Sequence, residues 1–247
     1  MVLLITGAIT PGKNVPNTKL LDAKERKAQY VDALKKNIIE ISKVHTYIKG
    51  IVYADNSMPE LEIFEECESL AREKNVKLEI IRFLGDNDLL MKKGKGYGEG
   101  EITKYAILNS SLISEADYIL KLTGRITIDN LADIIKRIDK KRCYFNMPNR
   151  TLKNMCDTRF YAMPVKLYKA QFINAYENVN DNEGHYLEHC MTDVINDNDI
   201  KTWNFPLYPK YNGVSGSKGH VYTYNKYKCV IKDLLSKFGY YKVKTVK

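Results

Sequence analysis

Lys92-Lys93-Gly94-Lys95-Gly96-Tyr97-Gly98-Glu99-Gly100, a helical pattern, and then Tyr118-Ile119-Leu120-Lys121-Leu122 leading to Thr123-Gly124-Arg125 form the stretch around which the chain is organised. Glycines let a backbone approach a ligand closely, and a helix N-terminus carries a partial positive charge. Lys93, Lys95 and Arg125 add full charges. The combination predicts a site for an anionic small molecule, a phosphate ester before others, with Lys95, Gly96 and Tyr97 beside it. These glycines are no dinucleotide fingerprint, because position 99, where a third would fall, is Glu99, and this argues against a Rossmann oxidoreductase. The plainer reading of Gly94 to Gly100 is a flexible loop.

Upstream, Val2-Leu3-Leu4-Ile5-Thr6 reads as a buried strand, and Tyr30, Leu34, Ile38 and Ile41 recur at helical spacing between Ala23 and Lys43. A strand from Ile48 to Ala54 ends on Asp55-Asn56-Ser57, a helix runs from Pro59 to Lys74, and Lys77 to Leu84 is another strand. Downstream come a helix from Gly98 to Ile113, the strand ending at Thr123, a helix from Asn130 to Lys140 and strands at Arg142–Asn146 and Asp157–Met163. Helices follow at Val165–Glu177 and Glu183–Ile195. Strand and helix alternation predicts an α/β fold, a mostly parallel sheet with helices on both faces. Ligands bind such sheets beyond the carboxyl ends of the strands, which gathers Thr6, Gly7, Asp55, Asn56 and Gly85 at one edge. Arg26, on the first turn of its helix, is placed to point back at that edge; the alternative is a solvated arginine.

Gly7-Ala8-Ile9-Thr10-Pro11-Gly12-Lys13-Asn14 is one residue from a P-loop. Asn14 stands where a magnesium-binding hydroxyl belongs, and Pro16 lacks the N–H that a following helix needs, so an NTPase is rejected. The chain of 247 residues suits one α/β domain, and its net charge of +9 suits nucleic acid, an anionic membrane surface or phosphorylated substrates. Five scattered cysteines without a C-x-x-C pair suggest neither a disulfide framework nor a zinc knuckle, and fit a reducing cytosol. The short N-terminal apolar run is no signal peptide and nothing approaches a membrane span, so a cytoplasmic protein, soluble or peripheral on the inner membrane face, is expected.

The order Thr6-Gly7-x-Ile9, Arg26-x-x-x-Tyr30, Asp55-Asn56-Ser57, Gly94-Lys95-Gly96-Tyr97-Gly98-Glu99, Lys121-x-Thr123-Gly124-Arg125 and Asp157-Thr158-Arg159-Phe160 resembles bacterial glycosyltransferases that build capsular and lipopolysaccharide glycans. The resemblance covers about the first two thirds of the chain, and its firmest pieces are the GKGYGE and KLTGR segments. It implies a GT-A-like, Rossmann-like fold in which residues 1–146 bind a nucleotide-sugar donor and residues 147–247 meet a glycan or lipid-linked acceptor. Thr6, Gly7, Arg26, Asp55, Asn56, Lys95, Gly96, Tyr97, Thr123, Gly124 and Arg125 would hold the donor. GT-A enzymes often carry an Asp-x-Asp that holds a divalent metal. Here the corresponding strand end is Thr123-Gly124-Arg125, so a metal is not favoured and Arg125 would meet the diphosphate, unless it pairs with Asp129. Glu188 would sit near the acceptor hydroxyl, with Asp157 the next carboxylate, and His220 would contact donor phosphates late in the chain.

Two other readings compete. His185-Tyr186-Leu187-Glu188-His189 is an H-x-x-E-H motif, the pattern of inverted zinc hydrolases, but no glutamate follows Glu188 to complete a metal site. From Thr223 onward seven lysines stand against one acid, Asp233, with tyrosines interleaved. That basic end suits an anionic membrane surface, and it would also suit a nucleic-acid-binding protein.

Overall fold

The computed structural model describes residues 1–10, 23–146, 155–214, 221–222 and 224–237. Strand β1 is Val2–Gly7, followed by helix α1 (Ala23–Ser42), β2 (Ile51–Asp55), α2 (Glu65–Glu73) and β3 (Leu78–Arg82). Helices α3 (Asn87–Lys93), α4 (Lys95–Asn109) and α5 (Ser111–Ser114) lead to β4 (Tyr118–Thr123) and β5 (Ile126–Ile128). Next are α6 (Leu131–Ile135), β6 (Cys143–Asn146), β7 (Asp157–Pro164) and α7 (Val165–Leu167). The chain then passes through α8 (Leu187–Asp197), β8 (Thr202–Trp203), β9 (Tyr211–Val214) and β10 (Val221–Tyr222) to α9 (Lys226–Lys237).

Seven strands form one sheet in the order β3-β2-β1-β4-β7-β6-β8. The first four run parallel, β7 is antiparallel to both β4 and β6, and β8 lies parallel to β6. The expected α/β architecture is thus present as a mixed sheet, parallel in its first half. A second sheet, β10-β9-β5, is antiparallel and was not foreseen, because its strands are three, four and two residues long.

Alternation along β1 explains the two cores. Leu3 and Ile5 pack on one face with Tyr30, Leu34 and Ile38 of α1, while Val2 and Leu4 pack on the other with Ile102 and Ala106 of α4. Each fully buried Leu or Ile contributes about 1.5–3 kcal/mol relative to exposure. The same alternation along β4 sends Tyr118, Leu120 and Leu122 to the α1 face and Ile119 to the α4 face. Lys121 therefore falls on the α4 side, and it is fully buried.

Several expected boundaries move. Helix α4 begins at Lys95, so Gly96, Gly98 and Gly100 lie inside a helix and not in a flexible loop. Residues expected as one helix from Val165 break into short turns, α7 continuing as a wide turn at Tyr168–Phe172 and a tighter one at Ala175–Asn178. Helix α8 starts at Leu187, four residues after the expected start at Glu183. The helix glycines have a packing cause: a Cβ on Gly100 would collide with the Cβ of Tyr176. Gly100→Ala is expected to cost about 1–3 kcal/mol through overpacking, measured by urea unfolding. An unchanged midpoint would mean that α4 is not held against Tyr176.

Candidate active site

The carboxyl ends of β1, β2 and β4 form one edge, with Thr6 opposite both Ala54 and Thr123 and Gly7 opposite Asp55. Because β7 is antiparallel to β4, it begins at this same edge, bringing Asp157, Thr158 and Arg159 to the ends of the parallel strands. The first turns of α4 and α8 complete the ring.

The loop after β1 is held from within. Asp55 is fully buried: its Oδ2 accepts from the Ile9 amide at 3.0 Å and the Tyr53 hydroxyl at 3.3 Å, and its Oδ1 accepts from the Ser57 amide at 2.8 Å. Burial raises the Asp55 carboxyl above its ordinary value, against those hydrogen bonds. Arg26 is also buried; it donates from Nε to the Ile9 carbonyl at 3.2 Å and from its terminal nitrogen to the Ala8 carbonyl, and its guanidinium lies 5.7 Å from the Tyr30 ring centre. The Tyr30 hydroxyl accepts from the Ala8 amide at 3.2 Å. Asp55 and Arg26 thus shape the loop after β1 through its backbone. Gly7 is required by close packing, since a Cβ there would strike the Tyr53 hydroxyl. Thr6 Oγ1 is buried with no hydrogen-bond partner among the described residues.

The start of α4 is likewise occupied by the chain itself. Asp181 accepts from the Gly96 amide at 3.1 Å, and burial raises its carboxyl above the ordinary value. Gly94 takes φ +97°, and a Cβ on it would overlap the Asp181 side chain. At this helix end, where a phosphate was expected at Gly96, the Gly96 amide is capped by the internal carboxylate of Asp181. Tyr97 is buried against Tyr176 with ring centres 5.0 Å apart, and burial pushes its phenol up to about 12; it packs into the core on the α4 side of the sheet. Asn56 donates to Glu101 Oε2 at 3.1 Å, and Glu101 Oε1 accepts from the Asp86 amide at 3.0 Å, tying β2 to α4.

What these supports surround is a charged network. The Lys121 ammonium donates to Glu99, to the Thr158 carbonyl at 3.0 Å and to Thr123 Oγ1 at 3.2 Å, and Thr123 Oγ1 donates to Glu99 at 2.8 Å. Thr158 Oγ1 donates to Glu188 Oε1 at 2.9 Å. Burial raises the Glu188 carboxyl above its ordinary 4.5, and the fields of Glu99 and Asp157 push the same way against the Thr158 hydrogen bond. Lys95 is held below its ordinary value by burial, although Asp181, Glu99 and Glu188 act to raise it; Arg125 adds to the lowering. Asp157 binds Arg159 in a fork, Nε at 2.9 Å on one oxygen and the terminal nitrogen at 2.6 Å on the other. That fork holds Asp157, the second carboxylate expected beside the acceptor, against Arg159.

Arg125 is 7% exposed and makes no ion pair with a carboxylate among the described residues. It donates to Gln29 Oε1 at 3.2 Å and lies 5.5 Å from the Tyr30 ring centre, rather than forming the alternative pair with Asp129. Gly124 before it donates to the Thr6 carbonyl at 2.8 Å, and a Cβ there would strike that carbonyl and the Tyr30 ring.

His185 precedes α8, so the two histidines of the H-x-x-E-H motif do not share a helix face; they stack at 5.3 Å, and His185 faces Asp193 at 3.5 Å. Among the described residues no three His, Cys, Asp or Glu side chains group as a metal site, and the β4 end carries Thr123, Gly124 and Arg125 where a carboxylate pair would have to be. The described residues at this strand end offer no carboxylate pair that fits a GT-A metal. His220 and the near-P-loop residues Pro11 to Asn14 lie outside the described residues. Glu99, Lys121, Thr158 and Asp181 were not singled out as site residues. The signals were a lysine inside the apolar strand Ile119–Leu122 and a glutamate four residues after Lys95 on one helix face.

Among solved structures, the fold is similar to the galactosyltransferase LgtC in complex with donor and acceptor sugar analogs, with a TM-score of 0.51 and 9% identity over 79% of this chain and 70% of that one. A structure of LgtC carrying an active-site mutation gives a TM-score of 0.51 and 10% identity over the same shares, 79% and 70%. No protein-family model and no curated protein matches the sequence. The α/β fold, with its mixed seven-stranded sheet and flanking helices, matches GT-A glycosyltransferase structures. No helix among the described residues is long and apolar enough to cross a membrane.

A raised Glu188 carboxyl has a thermodynamic sign. The folded chain keeps this proton to higher pH than the unfolded chain, so the group's contribution to stability falls as pH rises from 4.5 through the folded value. Glu188→Gln cannot titrate and keeps an acceptor for Thr158. Unfolding free energies measured over a pH series should show the variant gaining on the wild type across that window. Parallel curves would place Glu188 in water.

Proposed function

We propose that the chain is a glycosyltransferase that moves a sugar from a nucleotide-sugar donor to a glycan or lipid-linked acceptor. The observation that carries this reading is Arg125, a buried cation without a carboxylate partner among the described residues, at the strand edge where such folds bind ligands. A buried charge is costly unless it is paired, and an anionic ligand supplies the partner. The planar guanidinium suits two phosphate oxygens at once. Lys95, within the field of Arg125, adds a second cation at the same end of the sheet. Likeness to a galactosyltransferase crystallised with donor and acceptor sugar analogs supports this reading through the fold.

In this reading the diphosphate leaving group gathers negative charge as the sugar departs, and Arg125 with Lys95 stabilises it. Glu188, with a carboxyl more basic than usual, takes the proton of the attacking acceptor hydroxyl. Thr158, whose carbonyl is held by the Lys121 ammonium, hydrogen-bonds that carboxylate. Residues 1–146 would handle the donor and residues 147–247 the acceptor, within a single domain. Capsule or lipopolysaccharide assembly in the cytoplasm is the setting that the GKGYGE and KLTGR segments suggest.

A thermal-shift panel of nucleoside diphosphate sugars tests the donor. The true donor at a hundred times its dissociation constant adds about 2.7 kcal/mol. Arg125→Ala should weaken its binding roughly 10- to 100-fold, since a hydrogen bond to a charged group is worth about 1.5–3 kcal/mol, while EDTA leaves wild-type affinity unchanged. No response to any nucleotide sugar would sink the transferase. Loss of binding in EDTA with Arg125→Ala intact would sink only the metal-free site.

Turnover separates the acceptor side. Glu188→Gln should lower kcat by about 10²- to 10⁴-fold with donor affinity nearly unchanged, the range expected for a lost general base. Full activity in that variant removes Glu188 from the chemistry.

A further inference from the structure

Among the described residues, helix α9 is fixed to the body by one face. Cys229 is buried, Asp233 accepts from the Tyr208 amide at 2.6 Å, and the Lys232 ammonium lies 3.8 Å from the Tyr208 ring centre. The other face carries Tyr227, Val230, Ile231 and Leu234, which are 83%, 56%, 56% and 47% exposed. Their spacing, i, i+3, i+4 and i+7, is that of one helical stripe. Scattered exposed apolar residues are ordinary on a protein surface. A row of four on one helix face marks an interaction site.

The charge of the sequence that carries the stripe says what covers it. Lys228 is exposed on the same helix, and the chain from Thr223 to Lys247 holds seven lysines against one acid, a net +6. We propose that α9 lies in the plane of an anionic membrane surface, with Tyr227, Val230, Ile231 and Leu234 entering the boundary between headgroups and acyl chains. Lysines beside such a stripe keep their stems on apolar surface and their ammonium groups among the phosphates. A second copy docked stripe to stripe would set +6 against +6. RNA would use the lysines and tyrosines, which stack on bases, but has no use for three aliphatic side chains in a row. The proposal needs no donor and stands or falls apart from the transferase reading.

Co-sedimentation of the full chain with phosphatidylcholine vesicles, with and without phosphatidylglycerol, tests it. Binding to the anionic vesicles should exceed binding to the neutral ones by about 10-fold or more and weaken in high salt. The triple variant Val230→Gln, Ile231→Gln, Leu234→Gln should lose about 10-fold or more, with circular dichroism unchanged, because the substituted side chains are exposed. As an independent reading, Val230→Trp should shift its emission to the blue on anionic vesicles and be quenched by brominated acyl chains. Three results would overturn the proposal: the triple variant binding as the wild type does, equal binding to neutral and anionic vesicles, or a Val230→Trp signal that vesicles leave unchanged. So would a dimer in gel filtration that the triple variant dissolves, or single-stranded RNA displacing the vesicles with equal affinity for both proteins.

Discussion

A lysine buried in the middle of a sheet must find a carboxylate, and most of this architecture follows from how Lys121 does so. Its partner, Glu99, sits on α4, so that helix has to cross the end of the sheet closely enough for a direct ion pair. Removing one member of such a pair strands a buried charge at a cost of about 3–5 kcal/mol, whereas the intact pair is close to neutral in stability. The pair therefore fixes geometry more than it adds stability. With α4 in place, Glu101 reaches Asn56 and the Asp86 amide, Gly96 reaches Asp181, and Thr123 is drawn onto Glu99.

The same helix joins the two halves of the chain. Asp181 caps it from the far half, Tyr176 packs on Gly100, and Thr158 connects the Lys121 ammonium through its carbonyl with Glu188 through its hydroxyl. A displacement of α4 would consequently be felt on both sides of the proposed site. On the opposite face of β4, Tyr30 gathers two guanidinium groups, Arg26 at 5.7 Å and Arg125 at 5.5 Å, and its hydroxyl holds the loop after β1. Arg26 satisfies loop carbonyls, whereas Arg125 stands at the strand end, and this division makes one arginine structural and the other the candidate for an anion.

The parallel half of the sheet was legible because buried strands read as unbroken apolar runs, as in Val2 to Ile5, and α1 because Tyr30, Leu34, Ile38 and Ile41 keep a 3.6-residue period. The glycine-rich run was read as an opening for phosphate. Close approach was the right inference, but the approaching groups are Asp181 and Tyr176, more than seventy residues away in sequence, and no local pattern names them. Asp55 and Arg26 show the same limit: both occur where a ligand-binding residue belongs, and their hydrogen bonds to the backbone of the loop after β1 are named by no local pattern. Glu188 was singled out by the resemblance through its place on a helix, while Thr158, which hydrogen-bonds it, becomes visible only once β7 is seen to run antiparallel beside β4.

The central claim is that Arg125 answers an anion of the donor. A crystal structure with a nucleoside diphosphate sugar bound tests it most directly. The account predicts diphosphate oxygens at about 2.7–2.9 Å from the Arg125 guanidinium, the range of charge-assisted hydrogen bonds, with the sugar between that group and Glu188. A diphosphate held elsewhere on the chain, or through a cation bound by carboxylates with Arg125 still against Gln29 alone, would contradict it.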